Sequence, residues 1–416
     1  MKTSTEILHD ELAQELKNIL NYWAKYAVDD AFGGFVGARN YQNKCVENAP
    51  KGIILNTRIL WAFAAAGNFY QDERYIFYCE RAFYYLLNQF KDSKHGGVYW
   101  ELDAQGNALN KRKQTYAQAF AVYALSEYYL YSGNERAKQW AIELYNQIEH
   151  RTKDTQNGGY LEAFAENWSV IEEVRLSEKD QNDPKSMNTH LHVLEAYTTL
   201  YKIYPTHEVR ASIEDLLDIF YTKILNKTRL SFDLFFDMNW QPNSQVTSYG
   251  HDIEAIWLLI EAAKTIQNDS LISTTTQCAG LIAEQVLKEG YIQGFGLLNE
   301  RNHLIKTVDD DRHWWPQAEA MVGFYFAYQI SGENHFLEAV FDLWEQIKKV
   351  VIDPEKGEWF FRVKNDDKPV LEEDKIGFWK CPYHNSRMCM TIISMINEKV
   401  FVLRNNKNNK SKLNIS

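Results

Sequence analysis

The segment 97–107, with the sequence GVYWELDAQGN, joins a glycine-aromatic strand signal to a short polar turn, a pattern that predicts a β-hairpin. The same signal recurs along the chain, once in a form without glycine. It occurs at Gly34, Gly97, Gly159, Asp233, Gly294 and Gly357. Successive positions are 63, 62, 74, 61 and 63 residues apart, which predicts six internal repeats with a longer period than the common short solenoids.

Two helical patterns lie between successive signals. The first is apolar on all sides, as in ILWAF at 59–63, which is typical of a helix buried on every face. These inner helices are predicted to begin near Asn56, Tyr116, Asn188, Gly250, Trp314 and Tyr383. The second pattern, as in 134–149 and 334–349, alternates apolar with charged residues and indicates an outer ring.

The first and last helical patterns are the ones without a partner in their own repeat. Pairing the N-terminal helix with the last inner helix closes a ring of twelve helices. The sequence therefore predicts an all-α fold, an (α/α)6 barrel with short β-hairpins between the repeats. We expect residues 1–403 to form one catalytic domain and 404–416, which are rich in Asn and Lys, to form a disordered tail.

Composition excludes several classes of function. With 45 basic and 56 acidic residues, the net charge of −11 disfavours nucleic acid and anionic membranes as partners. Five cysteines without a CxxC pair indicate neither a disulfide framework nor a structural zinc site. The chain lacks a signal-peptide pattern and any apolar run long enough to cross a bilayer. We therefore expect a cytoplasmic protein.

Phosphate-binding and nucleophile motifs are also missing. The sequence has no glycine-rich phosphate loop, no dinucleotide fingerprint and no G-x-S-x-G elbow. With these chemistries excluded, acid/base chemistry on a neutral, hydroxyl-rich ligand is the reaction class left. Imidazole side chains suit acid/base catalysis near neutral pH. We expect a monomeric enzyme that acts on a small molecule without a cofactor or a metal.

Polar side chains collect at the predicted starts of the inner helices. If these helices are parallel, their N-terminal ends meet in one cup, and burying polar groups there without a role is costly. The set contains Asn56, Arg58, Tyr116, Gln118, Asn188, His190, His192, His251, Glu254, Trp314, Trp315, Gln317, Glu319, His384 and Arg387. This concentration favours a binding site over a structural network.

Several of these residues allow two interpretations. Arg58 is either a clamp for a negatively charged intermediate or the partner of a buried carboxylate such as Glu254. His190 and His192 point about 200° apart on a helix, so at most one of them faces the cup. His251 and Glu254 share a helix face, which suits a histidine oriented by a carboxylate better than a pair of metal ligands.

The remaining candidates, one histidine and three tryptophans, lie at or just before the starts of inner helices. His384 opens the last inner helix, where the helix dipole lowers the pKa of an imidazole. Trp314, Trp315 and Trp379 lie at or just before helix starts. Stacking on a sugar ring and structural packing are both consistent with that placement.

Six motifs together resemble the N-acylglucosamine 2-epimerase family, and within it the cellobiose 2-epimerase branch. They are KGI (51–53), NTRILW (56–61), MNTHLH (187–192), YGHDIE (249–254), WWPQAE (314–319) and FWKCPYHN (378–385). The similarity extends over nearly the whole chain. The last motif carries the resemblance to the cellobiose branch.

The resemblance implies epimerisation at carbon 2 of the reducing-end glucose of β-1,4-linked disaccharides through an enediolate. His251 and His384 would be the general acid and base, with His192 beside them and Arg58 holding the enediolate oxygens. The implied substrate-binding residues are Tyr116, Asn188, Glu254, Trp314, Trp315, Glu319 and Trp379. Among them, Tyr116 and Asn188 would aid Arg58, and Trp379 and Trp314 would stack on the two sugar rings. The alternatives are an aldose–ketose isomerase acting on free mannose or glucose, an inverting glycoside hydrolase, and a sugar-binding barrel without activity.

Overall fold

The computed structural model describes the backbone of residues 2–412 and the side chains of residues 2–398. The segment 404–416 lies beyond the described side chains, and 413–416 lie outside the described residues altogether. The disordered tail therefore stays a prediction.

Twelve α-helices lie within residues 2–412. They are α1 (Ser4–Tyr26), α2 (Ile53–Tyr70), α3 (Ile76–Tyr85), α4 (Thr115–Ser132), α5 (Glu135–Arg151), α6 (Met187–Ile203), α7 (His207–Ile219), α8 (Tyr249–Thr265), α9 (Asp269–Glu289), α10 (Trp314–Ser331), α11 (Asn334–Gln346) and α12 (Tyr383–Lys412). A short 3₁₀ helix, Glu73–Tyr75, precedes α3. Single π-helical turns end α3, α7 and α11, at Leu86–Phe90, Phe220–Ile224 and Ile347–Val351.

The even-numbered helices form a closed inner ring. Each packs against the next in the order α2, α4, α6, α8, α10 and α12, and α12 returns to α2. The odd-numbered helices lie outside, and α1 packs against α12 as predicted. The (α/α)6 barrel is confirmed, and its inner helices begin within three residues of the predicted positions. None of the described helices has both the length and the apolar character needed to cross a membrane.

Short antiparallel strands join the helices at one end of the barrel. They are β1 (Lys51–Gly52), β2 (Glu101–Leu102), β3 (Ala108–Asn110), β4 (Lys113–Gln114), β5 (Ala163–Phe164), β6 (Lys185–Ser186), β7 (Leu225–Asn226), β8 (Ser231–Phe232), β9 (Phe235–Phe236), β10 (Val246–Ser248), β11 (Tyr291–Ile292), β12 (Gly296–Leu297), β13 (Glu300–Asn302), β14 (Thr307–Asp309), β15 (Arg312–His313) and β16 (Arg362–Val363). The predicted hairpin of 97–107 forms as β2–β3, extended by β1. Strands β1, β4, β6, β10 and β15 each lead directly into an inner helix, so they fix the N-terminal ends of those helices.

A recurring hydrogen bond defines the true register of the repeat. In four repeats a backbone amide donates to the fourth residue of the next inner helix. The pairs are Val98 to Gln118 (2.7 Å), Tyr160 to His190 (2.9 Å), Phe232 to Asp252 (2.8 Å) and Leu297 to Gln317 (2.8 Å). This register places the fourth and fifth repeat signals at Ser231 and Gly296, two residues from the predicted Asp233 and Gly294.

Buried lysines tie the loop turns to the strands that lead into the inner helices. The ammonium groups of Lys51, Lys113 and Lys185, each two residues before an inner helix, contact Asp29 (2.7 Å), Asp92 (2.8 Å) and Asp154 (2.7 Å). The fourth repeat has Thr247 at this position. Because a buried charge is stable only when it is paired, these contacts hold the loops against the barrel end.

Candidate active site

A cavity of about 580 Å³ opens at the N-terminal ends of the inner helices. Its lining contains ten of the eleven predicted site residues: Arg58, Tyr116, Asn188, His192, His251, Glu254, Trp314, Trp315, Trp379 and His384. The eleventh, Glu319, is fully buried and contacts His384 from behind. The parallel inner helices and the strands before them therefore bring the predicted set together.

His384, the second residue of α12, is held by a carboxylate. Its Nδ1 donates a hydrogen bond to Oε1 of Glu319 at 2.7 Å. A carboxylate only accepts, so the neutral ring carries its proton on Nδ1 and leaves Nε2 with a free lone pair. Burial lowers the pKa of His384 well below its usual value, and the charges of Arg58 and Arg387 add to this. The direction agrees with the prediction, but burial is the largest cause.

His251, the third residue of α8, has a different partner. Its Nδ1 lies 2.8 Å from the Ser248 hydroxyl, and its ring centroid lies 4.7 Å from that of Trp315. Burial lowers the pKa of His251 to about 3. The expectation that Glu254 orients this ring is wrong, because Glu254 accepts a hydrogen bond from Arg387 at 2.5 Å instead.

Of the two histidines on α6, the structure places His192 in the cavity. Its Nδ1 lies 2.9 Å from Glu195, and its ring lies edge-on to Tyr116 at 5.0 Å. His190 is a satisfied core residue, because it donates to the Ser186 carbonyl at 2.6 Å and accepts from the Tyr160 amide. The predicted opposition of the two rings is confirmed.

Arg387 binds several carboxylates at once. The sequence predicted that it lies in the cup but predicted no role for it. Its guanidinium donates to Glu195, Glu254 and Glu319 and to the Tyr383 hydroxyl. Burial alone would raise the pKa of Glu195, but Arg387 and His192 outweigh it and lower the value to about 2. At Glu254, burial and the charge of Glu319 outweigh Arg387 and raise the pKa to about 7.

Glu254, Glu319 and His384 lie close enough together to hold a metal ion, with ligand atoms within 4.8 Å of one another. Arg387 already supplies a positive charge to both carboxylates, at 2.5 and 2.8 Å. A second such group, formed by Asp92, His95 and Glu166, lies outside the cavity lining. There the ammonium of Lys113 contacts Asp92. In both groups the nearby cation reduces the attraction for a metal.

Arg58 contacts no carboxylate among the described side chains. Its guanidinium donates to the Tyr116 hydroxyl at 2.8 Å and to Sγ of Cys381 at 3.7 Å, and it lies over the rings of Phe120 and Tyr383. The alternative interpretation, a carboxylate partner for Arg58, is therefore wrong for the described side chains, and the clamp stays a prediction. Arg387, not Arg58, is the partner of Glu254.

Aromatic rings form the wall of the cavity. Trp379 is partly exposed and lies about 6.0 Å from both Tyr116 and Trp100, while Trp315 is partly exposed between His251 and His384. Trp314 is only 3% exposed and packs on Phe361. Trp379 and Trp315 are therefore more accessible to a ligand ring than Trp314 is.

The outer part of the cavity is acidic. The sequence did not reveal this feature, because five of its six acidic residues lie in loops and the sixth, Glu300, lies in the short strand β13. The acidic lining consists of Glu178, Asp180, Glu300, Glu372, Glu373 and Asp374. Burial and the neighbouring carboxylates of Asp309 and Asp180 raise the pKa of Glu300 to about 7. These groups disfavour an anionic ligand and suit a neutral one.

The chain is similar to known sugar epimerases over most of its length. Residues 33–387 match the model of the family described as N-acylglucosamine 2-epimerase (GlcNAc 2-epimerase). The cellobiose 2-epimerase of Bacteroides fragilis is 42% identical over 389 residues, which cover 93% of this chain and 99% of that protein. The solved cellobiose 2-epimerase of Bacillus thermoamylovorans B4167 has a TM-score of 0.89 at 38% identity, covering 94% of this chain and 100% of that chain.

More distant solved structures share the fold alone. A D-mannose isomerase has a TM-score of 0.79 at 20% identity, covering 93% of this chain and 97% of its own. An α-mannanase of glycoside hydrolase family 76 from Bacteroides thetaiotaomicron has a TM-score of 0.65 at 11% identity, covering 94% and 97%. The barrel therefore accommodates several reactions, and the side chains of the cavity must decide among them.

Proposed function

The chain belongs to the N-acylglucosamine 2-epimerase family, and from that premise we propose that it inverts carbon 2 at the reducing-end glucose of β-1,4-linked disaccharides. The reaction converts cellobiose to glucosylmannose and lactose to epilactose. Relatives named cellobiose 2-epimerase match more than nine-tenths of the chain at 42% and 40% identity, which supports this substrate class. The acidic outer cavity is consistent with a neutral sugar.

One observation carries the chemical proposal. His251 and His384 line the same cavity, their rings lie 4.7 and 5.6 Å from the ring of Trp315, and each has its Nδ1 engaged by a hydrogen bond. Nε2 of each ring is then the atom that meets the substrate. Two imidazoles in one cavity supply the base and the acid that inversion needs.

The chemistry begins after the reducing-end ring opens, when the proton on carbon 2 lies beside the carbon 1 aldehyde. A neutral imidazole takes that proton while negative charge builds on the aldehyde oxygen. The second histidine then donates a proton to the opposite face of carbon 2, and the aldehyde re-forms. This step requires the second histidine to be protonated in the reacting complex, where the negative charge of the enediolate opposes the lowering of its pKa by burial. Glu319 keeps the proton of neutral His384 on Nδ1, which suits this ring to act as the base.

Arg58 is the group we assign to the enediolate charge. Its guanidinium has no carboxylate partner among the described residues, so its positive charge is available to an oxyanion. Tyr116 lies within hydrogen-bond distance of it, and the buried Oδ1 of Asn188 has no partner among the described side chains. We assign sugar hydroxyl contacts to Tyr116 and Asn188, and ring stacking to Trp379 and Trp315.

The two rival reactions predict other products. An isomerase shares the enediol step but returns the proton to carbon 1, giving a ketose. An inverting hydrolase requires two carboxyl groups on opposite sides of the bond, about 6.5–9.5 Å apart. Glu254 and Glu319 instead have oxygen atoms within 4.8 Å of each other and share Arg387, which disfavours hydrolysis.

Incubation with lactose in D2O tests the proposal. The expected product is epilactose carrying deuterium at carbon 2, identified by NMR. A ketose as the main product, or release of free glucose, would overturn it. His251→Ala and His384→Ala should each abolish turnover while the circular dichroism spectrum stays that of the parent protein.

We also propose that residues 1–403 form a single catalytic domain that acts as a monomer in the cytoplasm. The closed ring of inner helices and the packing of α1 on α12 support a single unit. Side chains of a single chain bring the predicted site residues together in one cavity, which supports a monomeric enzyme. Sedimentation at assay concentration should give a mass near 48.7 kDa.

A further inference from the structure

Two serines at matching positions of neighbouring inner helices make different contacts. Ser186 and Ser248 each occupy the N-cap position, of α6 and α8 respectively. The Ser186 hydroxyl accepts a hydrogen bond from the Thr189 amide at 3.1 Å, which is the usual role of an N-cap serine. The Ser248 side chain makes no capping bond and lies 2.8 Å from Nδ1 of His251.

The position of Ser248 is rigidly defined. Its backbone pairs with Glu300 in the β10–β13 ladder, and the residue is only 1% exposed. Water therefore competes little for the hydroxyl. A serine that gives up the capping bond of its own helix gives up stability, so the contact with His251 needs another explanation.

We propose that Ser248 is a positioning residue for the epimerisation, whose hydroxyl holds Nδ1 of His251 and directs Nε2 toward carbon 2. This inference rests on the proposed function of His251. It also makes the two acid/base residues unequal, since His384 is held by a carboxylate and His251 by a neutral hydroxyl.

The inequality has a chemical consequence. A hydroxyl can accept from a protonated Nδ1 or donate to an unprotonated one, whereas a carboxylate only accepts. Glu319 adds a negative charge that stabilises the imidazolium of His384, and Ser248 adds none to His251. The Ser248 hydroxyl therefore accommodates His251 with or without a proton on Nδ1, whereas Glu319 requires that proton on His384.

Three variants separate positioning from helix capping. Ser248→Ala should lower kcat by about ten- to a hundredfold, the effect of losing one buried hydrogen bond, and should change KM by less than about twofold. Its thermal midpoint should also fall, because a buried hydrogen bond is lost, so kcat is the measurement that separates the two roles. Ser248→Thr keeps the hydroxyl and should restore kcat to within a few-fold. The matched control, Ser186→Ala, removes a true capping bond and should lower the thermal midpoint while leaving kcat unchanged.

The inference fails if Ser248→Ala keeps full kcat, if Ser186→Ala loses as much kcat as Ser248→Ala does, or if threonine does not rescue it. A second measurement does not depend on turnover. In protein labelled with ¹⁵N-histidine, the Nδ1 resonance of His251 should shift in Ser248→Ala and not in Ser186→Ala. An unshifted resonance overturns the positioning role, whatever product the wild type makes. A shifted resonance in a protein that forms no epimer would leave the positioning contact intact and refute the proposed function alone.

Discussion

Glu319 accepts a hydrogen bond from Nδ1 of His384 at 2.7 Å, and both side chains are buried at the base of the cavity. Arg387 donates to the same carboxylate oxygen at 2.8 Å. Burial raises the pKa of Glu319, and the charge of Arg387 opposes that rise. As the hydrogen-bond acceptor, Glu319 fixes the position of the imidazole proton. The reactive nitrogen of His384 is set by a residue of another helix, 65 positions away in the chain.

Glu319→Gln should lower kcat for epimerisation by about a hundredfold or more, because general acid–base catalysis contributes roughly 10²–10⁴. The amide of glutamine can donate to Nδ1 and thereby move the imidazole proton to Nε2, where it blocks proton abstraction. Substrate affinity should change little, as measured by calorimetry with a reduced disaccharide that cannot form the aldehyde. Unaltered kcat in this variant would show that the contact does not set the tautomer.

Arg58→Ala should lower kcat by about 10²–10³, the range found when one donor to a developing oxyanion is removed. Arg58→Lys keeps the charge but not the planar fork that reaches Tyr116, and its kcat should fall between those of alanine and wild type. Steady-state kinetics with cellobiose measures both. A rise in KM with unchanged kcat would mean that Arg58 binds the ground state alone.

Much of the cavity could be predicted because the repeat brings equivalent positions together. Once the inner helices are parallel, polar residues near their starts must meet, and ten of the eleven predicted site residues do line the cavity. The partners of those residues could not be predicted. The i, i+3 spacing of His251 and Glu254 is compatible with contact, but Arg387 from α12 binds Glu254, and Ser248 binds the histidine.

The fourth repeat signal was predicted at Asp233, two residues after its true position at Ser231, for a related reason. Its turn carries Leu230 at φ 53° and Ser231 where the second and third repeats have glycine pairs, so the glycine signal is absent. The bond from the Phe232 amide to Asp252 identifies the equivalent position, and the pairing of Leu225 with Phe232 agrees with it. The pattern of side chains alone does not contain that bond.

The buried pair of Lys185 and Asp154 offers a test of how the loops are held. Lys185→Met leaves the Asp154 carboxylate buried without its cation and should destabilise the fold by about 3–5 kcal/mol. The double variant Lys185→Met/Asp154→Asn should be less destabilised than the single one, since the uncompensated charge is gone. Chemical unfolding of wild type, both singles and the double measures the coupling. Additive losses would show that the pair does not interact.

Glu15, on the outer helix α1, should make stability depend on pH. Its carboxylate accepts from Trp359 at 2.8 Å and Asn18 at 3.0 Å, and burial raises its pKa from 4.5 to about 7. Because the folded state holds this proton more tightly than the unfolded chain does, the stability it contributes is complete below pH 4.5. It is lost as the pH rises through 7.

Glu15→Gln removes that loss, so the stability of the variant relative to wild type should increase by about 3 kcal/mol between pH 4.5 and 8. Thermal midpoints across this range measure the difference. Glu6→Gln on the same helix is the matched control, because Glu6 is exposed and its contacts with Thr3 lower its pKa instead. The relative stability of this control should not increase with pH. If the two variants show the same pH dependence, the carboxyl of Glu15 is ionised in the folded protein at neutral pH and the predicted linkage is wrong.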